Sequence, residues 1–276
     1  MDVLMIVIEA DSKNSRYLKD IWDYRDLVYF LAWKDILVRY KQTVIGLGWA
    51  AIRPLLVMIA LSLVFGRLAN LGALQTVPYP LLVLSGVIPW LLFANTLGEC
   101  SESIVANSNM ITKIYFPRII IPISASIVAL VDMLITIGLL SIVLLWYQYP
   151  LTLNILALPF FIALCMMFSF GIGLWVSAFN VRYRDFRYVI PFALQFGILA
   201  TPVGFSSSVI TDPWKKTLYG LNPLVGIIDG FRWSILGSDQ PIYLPTLLLS
   251  IGLTAIVLTT GIIYFRNVEK TFADII

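Results

Sequence analysis

The sequence predicts an all-α integral membrane protein, and three observations carry that prediction. Of its 276 residues 59% are hydrophobic and only 13% charged, with a mean hydropathy of +0.89. A water-soluble domain gives about a quarter of its residues to charge, so this chain cannot cover a globule of its size with polar groups and needs an apolar solvent for the remainder. Second, a helix needs roughly 20 mostly apolar residues to cross the hydrocarbon core, and six stretches qualify: 44–66, 79–98, 119–147, 153–179, 189–211 and 243–265. Third, the basic residues are unevenly shared between the two sets of loops those spans define. Fourteen Lys and Arg fall on the side of the termini and four on the other, with Arg53 left inside a span. Basic residues are enriched in cytoplasmic loops, so both termini are expected in the cytosol.

Taken in order, residues 1–8 are apolar but short, and Glu9, Asp11 and Lys13 follow them. A cleavable signal places positive charge first and a longer apolar run after it, so the start reads as mature chain facing the cytosol. Residues 11–42 mix charge with aromatics. If residues 29–40 are helical, Tyr29, Trp33, Ile36, Leu37 and Tyr40 share an arc of about 120°, leaving Lys34, Asp35, Arg39 and Lys41 outside it. Such a helix lies along the headgroup layer with its rings at the interface. Leu31 and Val38 form a second apolar strip, which implies partial packing on protein.

In the first span Arg53-Pro54 marks either a kink or the true start of the embedded part. The second ends at Glu99 and Glu102, and the loop after it mixes Asn107, Asn109 and Lys113 with apolar residues before Phe116-Pro117-Arg118. It reads either as a solvated connector or as a short amphipathic helix on which a partner pushes. The third span holds Asp132, an intramembrane carboxylate of the kind that marks proton or cation paths; bonding to a neighbouring helix, or pairing with Arg53, is the structural alternative. Thr201-Pro202, Gly204 and the serines at 206–208 make the far end of the fifth span short or broken. Residues 211–242 are too apolar for a free loop. They interleave Leu218, Leu221, Leu224 and Phe231 with Gly220, Pro223, Gly226 and Gly230, a pattern expected of one or two re-entrant helices on the external face.

The chemistry that is missing narrows the function. There is no histidine, which excludes histidine bases, histidine metal ligands and a Ser-His-Asp triad. A net charge of +3, spread along the chain, argues against nucleic-acid binding. Cys100 and Cys165 lie in apolar surroundings and do not read as a disulfide framework. No Gly-x-x-x-x-Gly-Lys-Ser/Thr phosphate loop occurs, so the chain has no visible means of using ATP. Aromatics within the spans include Trp49, Trp90, Phe93 and Phe196. Aromatics in membrane helices mostly fill packing space, yet such faces can also stack on sugar rings without fixing a polymer's sequence.

Four blocks give the chain a family resemblance. They are Asp35-Ile-Leu-Val-Arg39-Tyr40-Lys41-Gln-Thr43-Val-Ile-Gly46-Leu-Gly48-Trp49 running into Arg53-Pro54; Asn107-Ser-Asn-Met-Ile-Thr-Lys113-Ile-Tyr-Phe116-Pro117-Arg118; Asn180-Val-Arg182-Tyr-Arg184-Asp185-Phe186; and Asn222-Pro223. Together they resemble the membrane subunits of ABC-2 type exporters for bacterial cell-surface polysaccharides: O-antigen, capsule and wall teichoic acid. The resemblance implies a homodimer of six-span subunits in the bacterial cytoplasmic membrane, with two copies of a separate ATPase polypeptide that holds ATP and Mg, and no cofactor or metal on this chain. It also implies an undecaprenyl-diphosphate-type lipid-linked glycan as substrate. It divides the chain into a cytoplasmic segment 1–43 with an amphipathic gate helix, a transmembrane domain 44–265 and a cytoplasmic tail 266–276. Trp33, Lys34, Arg39, Tyr40 and Lys41 then belong to the gate helix, where the diphosphate end is received. Glu102, Asn107, Asn109, Lys113 and Arg118 belong to the coupling helix that fits the ATPase, and Trp49, Trp90, Phe93 and Phe196 are channel-lining candidates.

Two other classes remain open at this stage. An ion-coupled secondary transporter predicts broken helices with paired ionizable groups near mid-membrane, and only Asp132 and Arg53 answer to that. A membrane glycan-processing enzyme needs converging charges on external loops, for which Asp212, Lys215, Lys216, Asp229, Arg232 and Asp239 are a weak match.

Overall fold

The computed structural model describes residues 14–41, 46, 48–74, 76–183 and 185–272. The start at residues 1–8, Thr43 in the first resemblance block and Arg184 lie outside these. Every regular element among the described residues is helical. Among the described residues two helices precede the first span: α1 (Asn14–Asp23) and α2 (Arg25–Lys41). α3 (Gly48–Leu61) passes into π-helical turns over Ser62–Leu68 and carries Pro54 without a break, so Arg53-Pro54 neither starts nor ends the helix. Then come α4 (Tyr79–Ala106), the single turn α5 (Ser108–Ile111), α6 (Ile120–Trp146), α7 (Leu158–Arg182), α8 (Phe186–Ala200), α9 (Pro213–Tyr219), α10 (Pro223–Leu236) and α11 (Leu244–Glu269).

α4 is the axis of the bundle. It is apolar around nearly its whole circumference, the pattern of a helix with neighbours on every side, and α6, α7, α10, α3 and α8 all pack on it. At 1.5 Å per residue its 28 residues span about 42 Å, longer than a hydrocarbon core of about 30 Å. Its last turns, with Glu99 and Glu102, therefore project toward α5. Close approach of α7 to its neighbours depends on missing side chains: a Cβ on Gly173 would lie 2.7 Å from the Cβ of Cys100, and one on Gly261 of α11 would lie 2.4 Å from the Gly171 carbonyl. Small residues at such crossings let helix backbones touch where no hydrophobic effect drives association.

Among the described residues five helices, and not the expected six, are long and apolar enough to cross a membrane: Gly48–Leu68, Tyr79–Ala106, Ile120–Trp146, Leu153–Arg182 and Leu244–Glu269. The expected fifth span is the 15-residue α8, because the chain turns extended at Thr201, before Pro202, and α8 ends there. Residues 211–242 hold two short helices. Asp212-Pro213 opens α9; Asn222 caps α10 through its side-chain oxygen, which accepts from Leu224 N–H at 3.1 Å, with Pro223 at the first helical position. Gly237, at φ 66°, ends α10 in a conformation that favours glycine. α10 is almost wholly buried against α11, α4 and α7.

One buried cation ties these pieces together. The Arg232 guanidinium, with no exposed surface, donates from Nε to the Leu82 carbonyl (3.1 Å), from Nη1 to Phe205 (2.8 Å) and from Nη2 to Val203 (2.7 Å). The Tyr79 hydroxyl donates to the Gly204 carbonyl between them. The carbonyls freed where α8 breaks thus find donors inside the protein, as irregular backbone at depth requires.

Candidate functional site

α2 lies against α6 and turns one continuous face inward: Leu27, Val28, Leu31, Ala32, Asp35, Ile36, Arg39 and Tyr40, spaced three and four apart. This face cuts across the predicted arc. Ile36 and Tyr40 turn in, while Tyr29, Trp33 and Leu37 stay out with Phe30 and Val38, and Tyr29 and Trp33 stack at 6.4 Å. Of the predicted apolar strip, Leu31 is buried and Val38 exposed. The inward face begins apolar and ends polar, so what packs against it must change character along its length.

At the polar end, a network joins four helices. Arg39 donates from Nη1 to Glu99 Oε1 of α4 and from Nη2 to Asp132 Oδ2 of α6, both at 3.0 Å. The Tyr40 hydroxyl donates to Asp132 Oδ1, Asn95 Nδ2 donates to Asp132 Oδ2 at 3.3 Å, and Arg53 Nη1 of α3 donates to Asn95 Oδ1 at 3.3 Å. Burial and the bond to Asp132 raise the Tyr40 hydroxyl above its ordinary range, so it is a donor at any physiological pH. Asp132 is thus bonded to neighbouring helices, but its cation is Arg39 and not Arg53. The reason is α2, whose docking on α6 no local pattern specifies.

Two clefts meet at this network. One of about 240 Å³ is lined by Arg39, Tyr40, Trp49, Arg53, Asn95 and Asp132 among others; the second, about 610 Å³, shares Arg39, Arg53, Leu91 and Asn95 and extends past Trp90, Glu99 and Glu102 to Gln195 and Ile198 of α8. The gate-helix candidates therefore divide. Arg39 and Tyr40 face the clefts, whereas Trp33, Lys34 and Lys41 line an outer groove with Phe30, Leu37 and Val38, and Lys34 pairs with Asp35 at 3.1 Å. The aromatic candidates divide too: Trp49 and Trp90 line the clefts, Phe196 is exposed beside Phe192 on α8, and Phe93 is buried and stacked on Phe168 at 5.7 Å, a packing residue in this structure.

The predicted amphipathic helix after the second span is shorter than its composition suggests. Glu102 still belongs to α4, Asn107 is the joint, its Nδ2 donating to the Ser103 carbonyl at 2.9 Å, and the helix beyond is one turn. Ile111 and Phe116 anchor the loop in the bundle, leaving Asn109, Lys113, Ile114 and Tyr115 exposed at its tip. Arg118 is half-buried, and its backbone N–H meets Glu269 of α11, which also accepts from the Tyr17 hydroxyl at 3.2 Å. Among the described residues no cluster of three or more carboxylate or thiol groups is placed to hold a metal ion.

Residues 26–236 match the ABC-2 type transporter family. The chain belongs to that family. As an ABC-2 family member it is a membrane permease, and the match takes in α2, the polar network, both clefts, the loop tip and Arg232. Relatives extend over nearly the whole length. The O-antigen export system permease protein RfbA of Myxococcus xanthus is 24% identical over 94% of this chain and 98% of its own. An RfbA of Klebsiella pneumoniae is 28% identical over 91% and 95%. The polysialic acid transport protein KpsM of Escherichia coli is 25% identical over 74% of this chain and 78% of its own.

Proposed function

We propose that this ABC-2 permease is the membrane subunit of an ATP-driven exporter that carries a lipid-linked polysaccharide, of O-antigen type, from the cytosol across the bacterial inner membrane. The observation that carries the reading is the end-to-end similarity to O-antigen export permeases, in a chain whose two clefts are both lined by Arg39 and Arg53. ATP and Mg belong to a separate ATPase chain, two copies of which bind a homodimer of this protein. No nucleic acid takes part.

The remaining features fit that assembly. The excess of Lys and Arg on one set of loops supports cytosolic termini. Among the described residues α3, its π-helical continuation and α8 present exposed apolar surface, including Leu56, Ile59, Leu63, Phe192, Phe196 and Leu199; contact with a second copy across these helices would bury it and place the clefts near the dimer axis. In the assembly α8 is the sixth crossing, completed by its broken end, and α9 and α10 are the external re-entrant pieces. ATP binding closes the ATPases and pushes on the loop tip around Asn109 and Lys113, and the spans nearest the axis separate. The outer face of α2, with Lys34 and Lys41, rests in the headgroup layer, and Arg39 on its inner face meets the diphosphate end of the lipid through charge-assisted contacts.

Deleting the gene in its host tests the reading: surface polysaccharide disappears and lipid-linked glycan accumulates inside, whereas unchanged surface polysaccharide overturns it. Loss of a capsule with intact O-antigen would favour the second reading, capsule export, which the similarity to polysialic acid transport proteins supports. The loop has its own prediction. Ile114→Asp with Tyr115→Asp, both exposed at the loop tip, leaves the amount of permease unchanged and removes co-purification of the ATPase; an intact complex would place the docking surface elsewhere.

A further inference from the structure

We propose that Arg39 is an exchangeable guanidinium: Glu99 and Asp132 occupy it at rest and hold the end of α2 shut, and a diphosphate entering the larger cleft takes it over and releases that end. The inference rests on the proposed function for the identity of the substrate, and its basis is the geometry around Arg39. One guanidinium bridges two carboxylates on two different helices while lining both clefts. It is also about one-third exposed, within reach of a ligand from the cleft.

The exchange is physically cheap because neither carboxylate is stranded by it. Glu99 is nearly half exposed and is rehydrated when Arg39 leaves. Asp132 is nearly buried, but it keeps the Asn95 amide of α4, and it lines the smaller cleft, from which water replaces the Tyr40 hydroxyl that leaves with the end of α2. The Arg39–Glu99 pair is partly exposed and weak by itself, whereas an Arg–phosphate contact is charge-assisted and can be bidentate. Arg53, held to the same cleft by Asn95, adds a second cation on the ligand's path.

Release has a defined mechanical reach. The apolar first half of the inward face, Leu27, Val28, Leu31 and Ala32, stays packed, so only the last two turns of α2 loosen. Glu99 sits seven residues from the end of α4, beyond which lies the loop tip. In this scheme Glu99 is a positioning residue: it touches no substrate, and it links loading of the clefts to the helix that leads to the ATPase.

The test uses the full chain with its co-purifying ATPase in liposomes and a cysteine reporter, Ile36→Cys, on the half-buried inward face, labelled with maleimide. The native Cys100 and Cys165 are buried and stay silent. In the otherwise unaltered protein, polyprenyl diphosphate raises the labelling rate about two- to fivefold, the weight of one partly exposed ion pair. Glu99→Gln shows the raised rate without lipid, and so does Arg39→Lys, which keeps its charge but cannot bridge both carboxylates. Inorganic pyrophosphate acting alone supports the exchange with free diphosphate as its source. A Glu99→Gln protein that labels slowly until lipid is added, as the parent does, overturns the proposal. If Glu99→Gln behaves as expected but gene deletion leaves surface polysaccharide intact, the exchange stands and the export reading falls.

Discussion

Arg232→Leu is expected to produce a permease that inserts but does not hold the segment after α8 in place. The substitution keeps roughly the volume of the stem and removes three donors. The carbonyls of Val203 and Phe205, freed where α8 breaks, lose partners that no water replaces at a site with no exposed surface. A buried acceptor left without a donor costs about 1–3 kcal/mol, so these two together cost about 2–6 kcal/mol, before any effect at Leu82. Lysine does not rescue the site, since a point charge on a flexible stem cannot serve three carbonyls in a fixed fork. Gly86 adds to the constraint: a Cβ there would lie 2.5 Å from Arg232 Nη2 and 2.9 Å from the Val203 carbonyl, so Gly86→Ala is expected to disturb the same staple. The measurement is the melting temperature and monodisperse yield in detergent. Melting within about 2 °C of the wild type, less than one kcal/mol in a chain of this size, would mean that the broken end finds other donors.

Gly261→Leu is the second large effect, and it acts through packing alone. Its Cβ would meet the Gly171 carbonyl at 2.4 Å, and a Cβ on Gly171 would meet the Leu258 backbone at 2.8 Å. Backbone cannot swing aside as a side chain can, so α11 must separate from α7 along the crossing. Overpacking a fitted site costs about 1–3 kcal/mol and sometimes more, and here the contacts on either side of the crossing are lost as well. Gly252→Leu, on the same helix with nothing within 4 Å, is the control and is expected to leave melting unchanged. Equal melting for both variants would remove the crossing from the account of stability.

Both effects concern positions whose importance the sequence hid. Gly261 reads as one small residue among the apolar residues of a span, and Arg232 as a loop charge, grouped with Asp212 and Lys215 as a weak catalytic cluster. The structure separates them: Lys215 pairs with Asp212 on exposed α9, whereas Arg232 is sealed inside the bundle. A buried arginine looks the same as an exposed one in a sequence, because the carbonyls that hold it come from residues 27 to 150 positions away. The polar network around Arg39 was hidden for the same reason. Arg39, Glu99 and Asp132 each stood out as charges at the ends or interiors of apolar segments, but their spacing carries no sign that they meet, and Asn95 carried none at all.

What the sequence determined by itself was the solvent, the class and the rough element map. Composition excludes a water-soluble fold, and five of the six predicted spans appear as long helices that start within a few residues of their expected bounds, Tyr79–Ala106 running well past its expected end at 98, because length and apolar content decide whether a helix can sit in hydrocarbon. The four motif blocks pointed to the family that the match over residues 26–236 then showed. Tertiary structure alone decided which face of α2 turns inward, which carboxylates hold Arg39, and how a helix that stops at Ala200 is made stable at its broken end. Those outcomes depend on long-range contacts, and in an apolar chain with so few polar groups each such group is free to find its partner anywhere the helices bring one close.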